Sequence, residues 1–292
     1  MTAWDRLVGV PLAPAVGPFP HRPFLEACAG GGSEDSLVVS DGENAMAVVV
    51  TEGVIRFVGE RHLTDYHSPL GSDTDALVAL LVSEVGALPL SLDSLPQEAA
   101  DPLAAAFGAA GRSVDQMADE SCRVIDLGET DGVAWESLLR SKHRHEVRRK
   151  RRRYEEARGT PDFGSGPDHF ESFLALHRSS RGDKAGFMTE AMEGFFADLL
   201  LLPGARLDVL LRDGEVVAAA FGFEDADGYY LYNSAYDHDV ADLSPGIILI
   251  DHLIGRTLSR GLGRFDFLKG EEIYKQRLGA QQRPLVRLEV AT

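Results

Sequence analysis

The sequence predicts an α/β protein with mixed sheets, built as two similar halves, and three observations carry that expectation. Alternating apolar runs around an Asp-Gly-Glu turn occur twice, at residues 37–50 (LVVSDGENAMAVVV) and 209–222 (VLLRDGEVVAAAFG). Each is followed by an apolar helical stretch, so strand pairs and helices alternate in both halves. The 292 residues suffice for two domains of ordinary size, and 44% hydrophobic content gives each enough apolar surface to offset the entropy of ordering.

In the first half, Asp65-Tyr66-His67-Ser68-Pro69-Leu70-Gly71 leads into an apolar helix at residues 75–85. Residues 132–158 read as one long helix, with Trp135, Leu138, Leu139, Val147, Tyr154 and Ala157 at three- or four-residue steps or their multiples. Gly159 and Pro161 end it. Residues 167–180 and 189–202 have helical apolar spacing, as in Phe170, Phe173, Leu174 and His177.

Residues 206–211, 216–224 and 229–236 read as a three-strand meander, since Asp213-Gly214 supplies the positive φ of a tight turn and Asp225-Ala226-Asp227-Gly228 reads as a second turn. Ser244 as N-cap, Pro245 at the first helical position and Gly261 beyond the end predict a helix of about 15 residues. A strand at 264–268, a short helix at 270–279 and a last strand at 283–290 complete the order. The expected domains are 1–131, a basic connecting helix 132–159, and 160–292, with a cleft between the two related halves as the default site.

Cys28 and Cys122 have no CxxC partner and predict neither a zinc site nor a disulfide framework. No stretch approaches the ~18 apolar residues of a membrane span and no leader pattern opens the chain, so the expectation is a soluble cytoplasmic protein without metal or membrane partner. A net charge of −17 argues against DNA binding, yet ten of the 29 basic residues fall within 140–158. That helix is either a solvated face or the source of a local positive field.

Three segments together, SKHRHEVRRKRRRYEEARG (141–159), AYDHDVADLSPGIILIDHLI (235–254) and FDFLKGEEIYKQRLG (265–279), resemble the BioF2-like (CelD/BcsL-type) acetyltransferase domain of the GNAT superfamily. Such proteins are similar to the FemAB-type aminoacyltransferases, which have two tandem GNAT-like domains and use aminoacyl-tRNA. The resemblance implies an N-acyltransferase whose catalytic half spans about 206–288 and whose first half is a degenerate copy. The donor would be acyl-CoA or an acyl-carrier thioester, with aminoacyl-tRNA as the alternative, and the acceptor a small-molecule, saccharide or peptidyl amine. An acyl carrier protein or tRNA would then be a partner. A non-catalytic binding module is the third reading.

In that family the donor lies against the strand before the central helix and its pyrophosphate sits on the helix start. This places Ser234 and Ala235 beside the donor, and Ser244, Gly246, Ile247 and Ile248 at its phosphates. Free N–H groups and the positive end of the helix dipole suit an anion there, and no acid occurs from 243 to 250. Of the usual Gln/Arg-x-x-Gly-x-Gly/Ala pattern only Gly246 is present. A plain Ser-Pro helix cap is the structural alternative.

Lys275 aligns with a FemAB-type lysine near the transferred carbonyl, where a cation opposes developing negative charge. Its alternative is a surface pair with Glu271, four residues earlier. Asp266 is the candidate base, with Asp237, Glu271 and Glu272 competing, and Tyr236 and Tyr274 are candidate proton donors. Arg148 and Arg152, with Arg144 and Arg151, are placed to hold donor phosphates or a tRNA stem. Asp65, Tyr66, His67 and Asp237 are the candidate acceptor contacts.

Overall fold

Asp41 turns the first hairpin: its carboxylate accepts the backbone N–H groups of Glu43 and Asn44 at 2.9 and 2.7 Å. The computed structural model in which this is seen describes residues 3–10, 17–29, 36–130, 134–180 and 186–292. It has two compact units, Met1–Cys122 with Arg283–Thr292, and Arg123–Gln282.

After a 3-10 helix (Ala3–Leu7) the first unit has helix α1 (Arg22–Cys28), followed by the antiparallel strands β1 (Ser36–Ser40), β2 (Ala45–Thr51) and β3 (Val54–Phe57). Helix α2 (Thr74–Val85) starts where Asp73 accepts the N–H of Ala76 at 2.9 Å and stops at Gly86, φ 65°. Strand β4 (Leu90–Pro96) then runs parallel to β3. Helix α3 (Gln97–Ala109) and strand β5 (Val114–Asp126) follow. The core lies between sheet and helices, with Val48, Ile55, Leu77, Leu81, Leu92 and Phe107 all at most 1% exposed.

The second unit begins with α4 (Ser141–Arg158), β6 (Asp162–Ser165), α5 (Phe170–Arg178) and α6 (Glu190–Leu200). The meander forms as β7 (Ala205–Arg212), β8 (Glu215–Glu224) and β9 (Gly228–Tyr236). Helix α7 (Pro245–Ser259) leads to β10 (Arg264–Lys269), parallel to β9, then to α8 (Ile273–Arg277) and β11 (Gln281–Val290). Both units thus repeat one order: antiparallel meander, helix, parallel strand.

Alternation along β8 builds the layers. Ala218 and Ala220 face α7 in one core cluster, where small side chains let the helix approach, with Leu249 and Leu253 filling the space. Phe221 faces the other way, 5.9 Å from Phe173 of α5 and 5.1 Å from Phe196 of α6. A buried ion pair pins α7 to this sheet. Asp208 of β7, 1% exposed, accepts both terminal nitrogens of Arg256 at 2.5 and 2.9 Å and the hydroxyl of Tyr229 at 3.0 Å.

Three expectations change. Residues 132–158 are not one helix: a 3-10 turn (Trp135–Leu138) and extended Leu139 and Arg140 precede α4, and residues 131–133 lie outside the described ones. The units divide at 122/123 and 282/283 rather than at 131/132 and 159/160. The last strand consequently packs in the first unit, where Leu285 and Leu288 of β11 face Pro96 and Leu92 of β4 in antiparallel register. Among the described residues no helix is long and apolar enough to cross a membrane.

Candidate functional site

The start of α7 and the end of β10 gather most of the polar side chains singled out in the second unit. After β9, Asp237 accepts the N–H of Asp239 at 2.9 Å and opens the 3-10 turn His238–Leu243. Ser244 then takes the left-handed conformation, φ 56° and ψ 48°, which turns its side chain away from the helix. Its hydroxyl makes no cap hydrogen bond and instead accepts Nζ of Lys150 from α4 at 2.7 Å. The cap expected of Ser244 is therefore replaced by a tether to a lysine.

Ile247 and Ile248 both donate their N–H groups to the Ser244 carbonyl, at 3.0 and 3.1 Å, and Pro245 has none. Among the described residues this leaves Gly246 with the unused amide at the helix start. The expectation that Ile247 and Ile248 offer free donors is corrected accordingly. Burial chiefly holds the Lys150 ammonium below its usual pKa; Glu146 opposes that, while Arg149, Arg277 and Arg153 add to it. Tyr236, 37% exposed, lies over Gly246: a Cβ there would stand 3.4 Å from its ring. The His238 ring is 4.7 Å from that of Tyr236. In β9, Ser234 is half-buried opposite Ala220, and Ala235 is buried opposite Ala219.

At the end of β10, Asp266 is fully buried and its Oδ1 accepts the N–H of Leu268 at 2.7 Å. Leu268 has φ 59°, so this carboxylate supports a left-handed bend that a branched side chain resists. Lys275 is 3% exposed. Its ammonium donates to the Lys269 carbonyl at 2.6 Å and pairs with Glu272 at 2.9 Å. The surface pair with Glu271 does not form; Glu271 stands 3.8 Å from Arg123. Tyr274 packs edge-on against Phe267 at 6.0 Å, and burial pushes its phenol well above the usual range.

The arginines of α4 divide by face. Arg151 forks onto Asp251 of α7 at 2.6–2.9 Å and also reaches Glu136 at 3.0 Å, so it belongs to the packing. Arg153 meets Asp242 at 3.2 Å. Arg148 and Arg152 are exposed, the latter 3.7 Å from Glu156, and Arg144 is half-buried.

The first-unit candidates are set in their own core. Tyr66 is 0% exposed, beside Phe19 and under the Arg283 guanidinium at 4.9 Å. His67, 3% exposed, stacks on Phe57 and shares a 3.0 Å hydrogen bond between Nδ1 and Asp93. Asp65 is half-buried. The groups missed at the level of sequence are Lys150, Asp208 and Asp251. Lys150 was detectable, because it falls three residues after Val147 and four before Tyr154, on the buried face of α4.

Residues 141–276 match the family described as an acetyltransferase (GNAT) domain. No curated protein matches the chain in sequence. Solved structures share its fold. The C-terminal domain (DUF2156) of a candidate lysylphosphatidylglycerol synthetase from Agrobacterium fabrum superposes with a TM-score of 0.65 at 13% identity, covering 99% of this chain and 92% of that one. FemX gives 0.63 at 11% identity over 97% and 94%, and L-PGS from Bacillus licheniformis 0.59 at 13% over 95% and 94%.

Proposed function

We propose that the chain is an N-acyltransferase that moves an acyl group from coenzyme A, or from a phosphopantetheine carrier, to an amine. The observation that carries this reading is the start of α7, where Nζ of Lys150 lies 2.7 Å from the Ser244 hydroxyl and the Gly246 amide is unused among the described residues, within the stretch 141–276 that matches a GNAT domain. A phosphate there would find a charged donor, a hydroxyl and a helix dipole.

In the reaction the amine nitrogen attacks the thioester carbonyl, the C–N bond forms, the C–S bond breaks and the thiolate takes a proton. Lys275 would oppose charge on the tetrahedral oxygen. Glu272, half-exposed against the same ammonium, is better placed than fully buried Asp266 to take the amine proton. Tyr236, exposed over the helix start, would protonate the thiolate; Tyr274 is held in packing.

The second reading, aminoacyl-tRNA as donor, is favoured by the fold shared with FemX and L-PGS and by the exposed Arg148 and Arg152. The test is incubation with acyl-CoA and acyl-carrier thioesters plus an amine panel, following free thiol. Thiol release that Lys150→Ala weakens supports the first reading. Product formed only with charged tRNA and abolished by ribonuclease supports the second, and silence from both donors in folded protein removes them together.

A further inference from the structure

A cavity of about 610 Å³ opens in the second unit on the side of α7 that carries Asp251, His252 and Gly255, away from β9, β10 and α8. None of its lining residues comes from the Asp266–Lys275 group. We propose that it binds a small organic cation with an apolar body, an arylalkyl amine.

The charges in its wall argue for a cation. Arg151 is neutralised by Asp251, whose two oxygens it and the Trp135 indole occupy, and Arg256 is neutralised by Asp208. The wall's three carboxylates, Asp251, Glu136 and Glu155, outnumber its two arginines. Glu136 is 7% exposed and gives Oε1 to Arg151, while its Oε2 has no hydrogen bond among the described residues. Glu155 lines the mouth, exposed and without an ion pair among those residues. Burial and then Arg256 lower the pKa of His252, with Asp208 opposing them.

The remainder of the wall suits a flat apolar body. The His252 ring stacks on Phe163 at 3.7 Å with planes 10° apart, and neither ring nitrogen has a hydrogen bond among the described residues. Trp135 and Leu258 supply further apolar surface. Gly255 completes the lining. It sits in the interior of a 15-residue helix, where glycine is unfavourable, yet a Cβ there would meet only Trp135 at an ordinary 3.8 Å. Packing does not require this glycine, and its missing side chain leaves the space beside Trp135 open to the cavity.

Calorimetric titration of the full chain with phenethylamine tests the proposal, with phenethyl alcohol and phenylacetate as neutral and anionic counterparts. The expected result is saturable one-site binding of phenethylamine at about 1 mM or tighter, at least tenfold weaker for either counterpart. Gly255→Leu should abolish binding without lowering the melting temperature, and Glu155→Gln should weaken it severalfold. If Gly255→Leu does not fold, Glu155→Gln alone decides. No saturation by phenethylamine, equal binding of phenylacetate, or wild-type affinity in the folded variants would overturn the inference.

Discussion

Buried charge is the most informative feature at the scale of single residues, and it serves two purposes here. Asp208 is satisfied three times over, by both Arg256 nitrogens and the Tyr229 hydroxyl, and has a structural role. Burial alone would raise its pKa, but the Arg256 hydrogen bonds and charge outweigh it and hold the carboxyl below its ordinary value. Asp208→Ala should cost about 3–5 kcal/mol in urea denaturation near neutral pH, because Arg256 is left buried without its partner. Since the folded pKa is depressed, this stabilisation is complete above the unfolded value of about 3.9 and disappears as pH falls through the folded value. The gap between wild type and Asp208→Asn should therefore close in acid. Lys275 differs, being held by a backbone carbonyl and a half-exposed glutamate. Under the proposed reaction Lys275→Ala lowers kcat by roughly 10²–10³-fold, while circular dichroism shows the fold kept; unchanged kcat would exclude the role.

Among elements, the start of α7 decides what the second unit can hold. Its backbone offers little, since Ile247 and Ile248 spend their amides on Ser244, so under the proposed reaction Lys150 would be the principal anion contact. Lys150→Ala is expected to raise the KM for a thioester donor about tenfold, with kcat nearly unchanged, because it removes binding common to ground and transition states. Steady-state kinetics at varied donor concentration check this. A different constraint shapes the turn between α6 and β7, where Gly204 has φ 78° and any Cβ would run into the Glu224 carbonyl. Gly204→Ala should lower stability by about 1–3 kcal/mol, read as a shift of the thermal midpoint. The segment 205–236 was legible because its alternation and Asp-Gly turns are local signals. By contrast, α3 carries Pro102 and β5 begins with the mostly exposed VDQMADE, so neither presents a clean period.

For the whole molecule, the main departure is the destination of β11. Its Leu285, Val286 and Leu288 are buried with β4 in the first unit, although the preceding α8 belongs to the second. A chain ending at Gln282 should therefore lose first-unit stability: limited proteolysis is expected to cut within residues 36–122 severalfold faster than in the full chain. Equal rates would show that β4 tolerates losing this neighbour.

Local chemistry determined, from sequence alone, the α/β class, the repeated order of strands and helix, the 205–236 meander and the span of α7. Each rests on spacing within a few residues, through turn geometry or a helical period, and survives whatever packs around it. Tertiary structure alone decided that Ser244 faces Lys150 rather than its own helix, that Lys275 chooses Glu272 and a carbonyl over Glu271, and that Tyr66 and His67 enter a core. Only tertiary structure, too, sent β11 to the first unit. Those outcomes depend on which distant groups are brought within a few ångströms, and on the cost of leaving a buried polar atom unpaired, and neither is written in the spacing of neighbours along the chain.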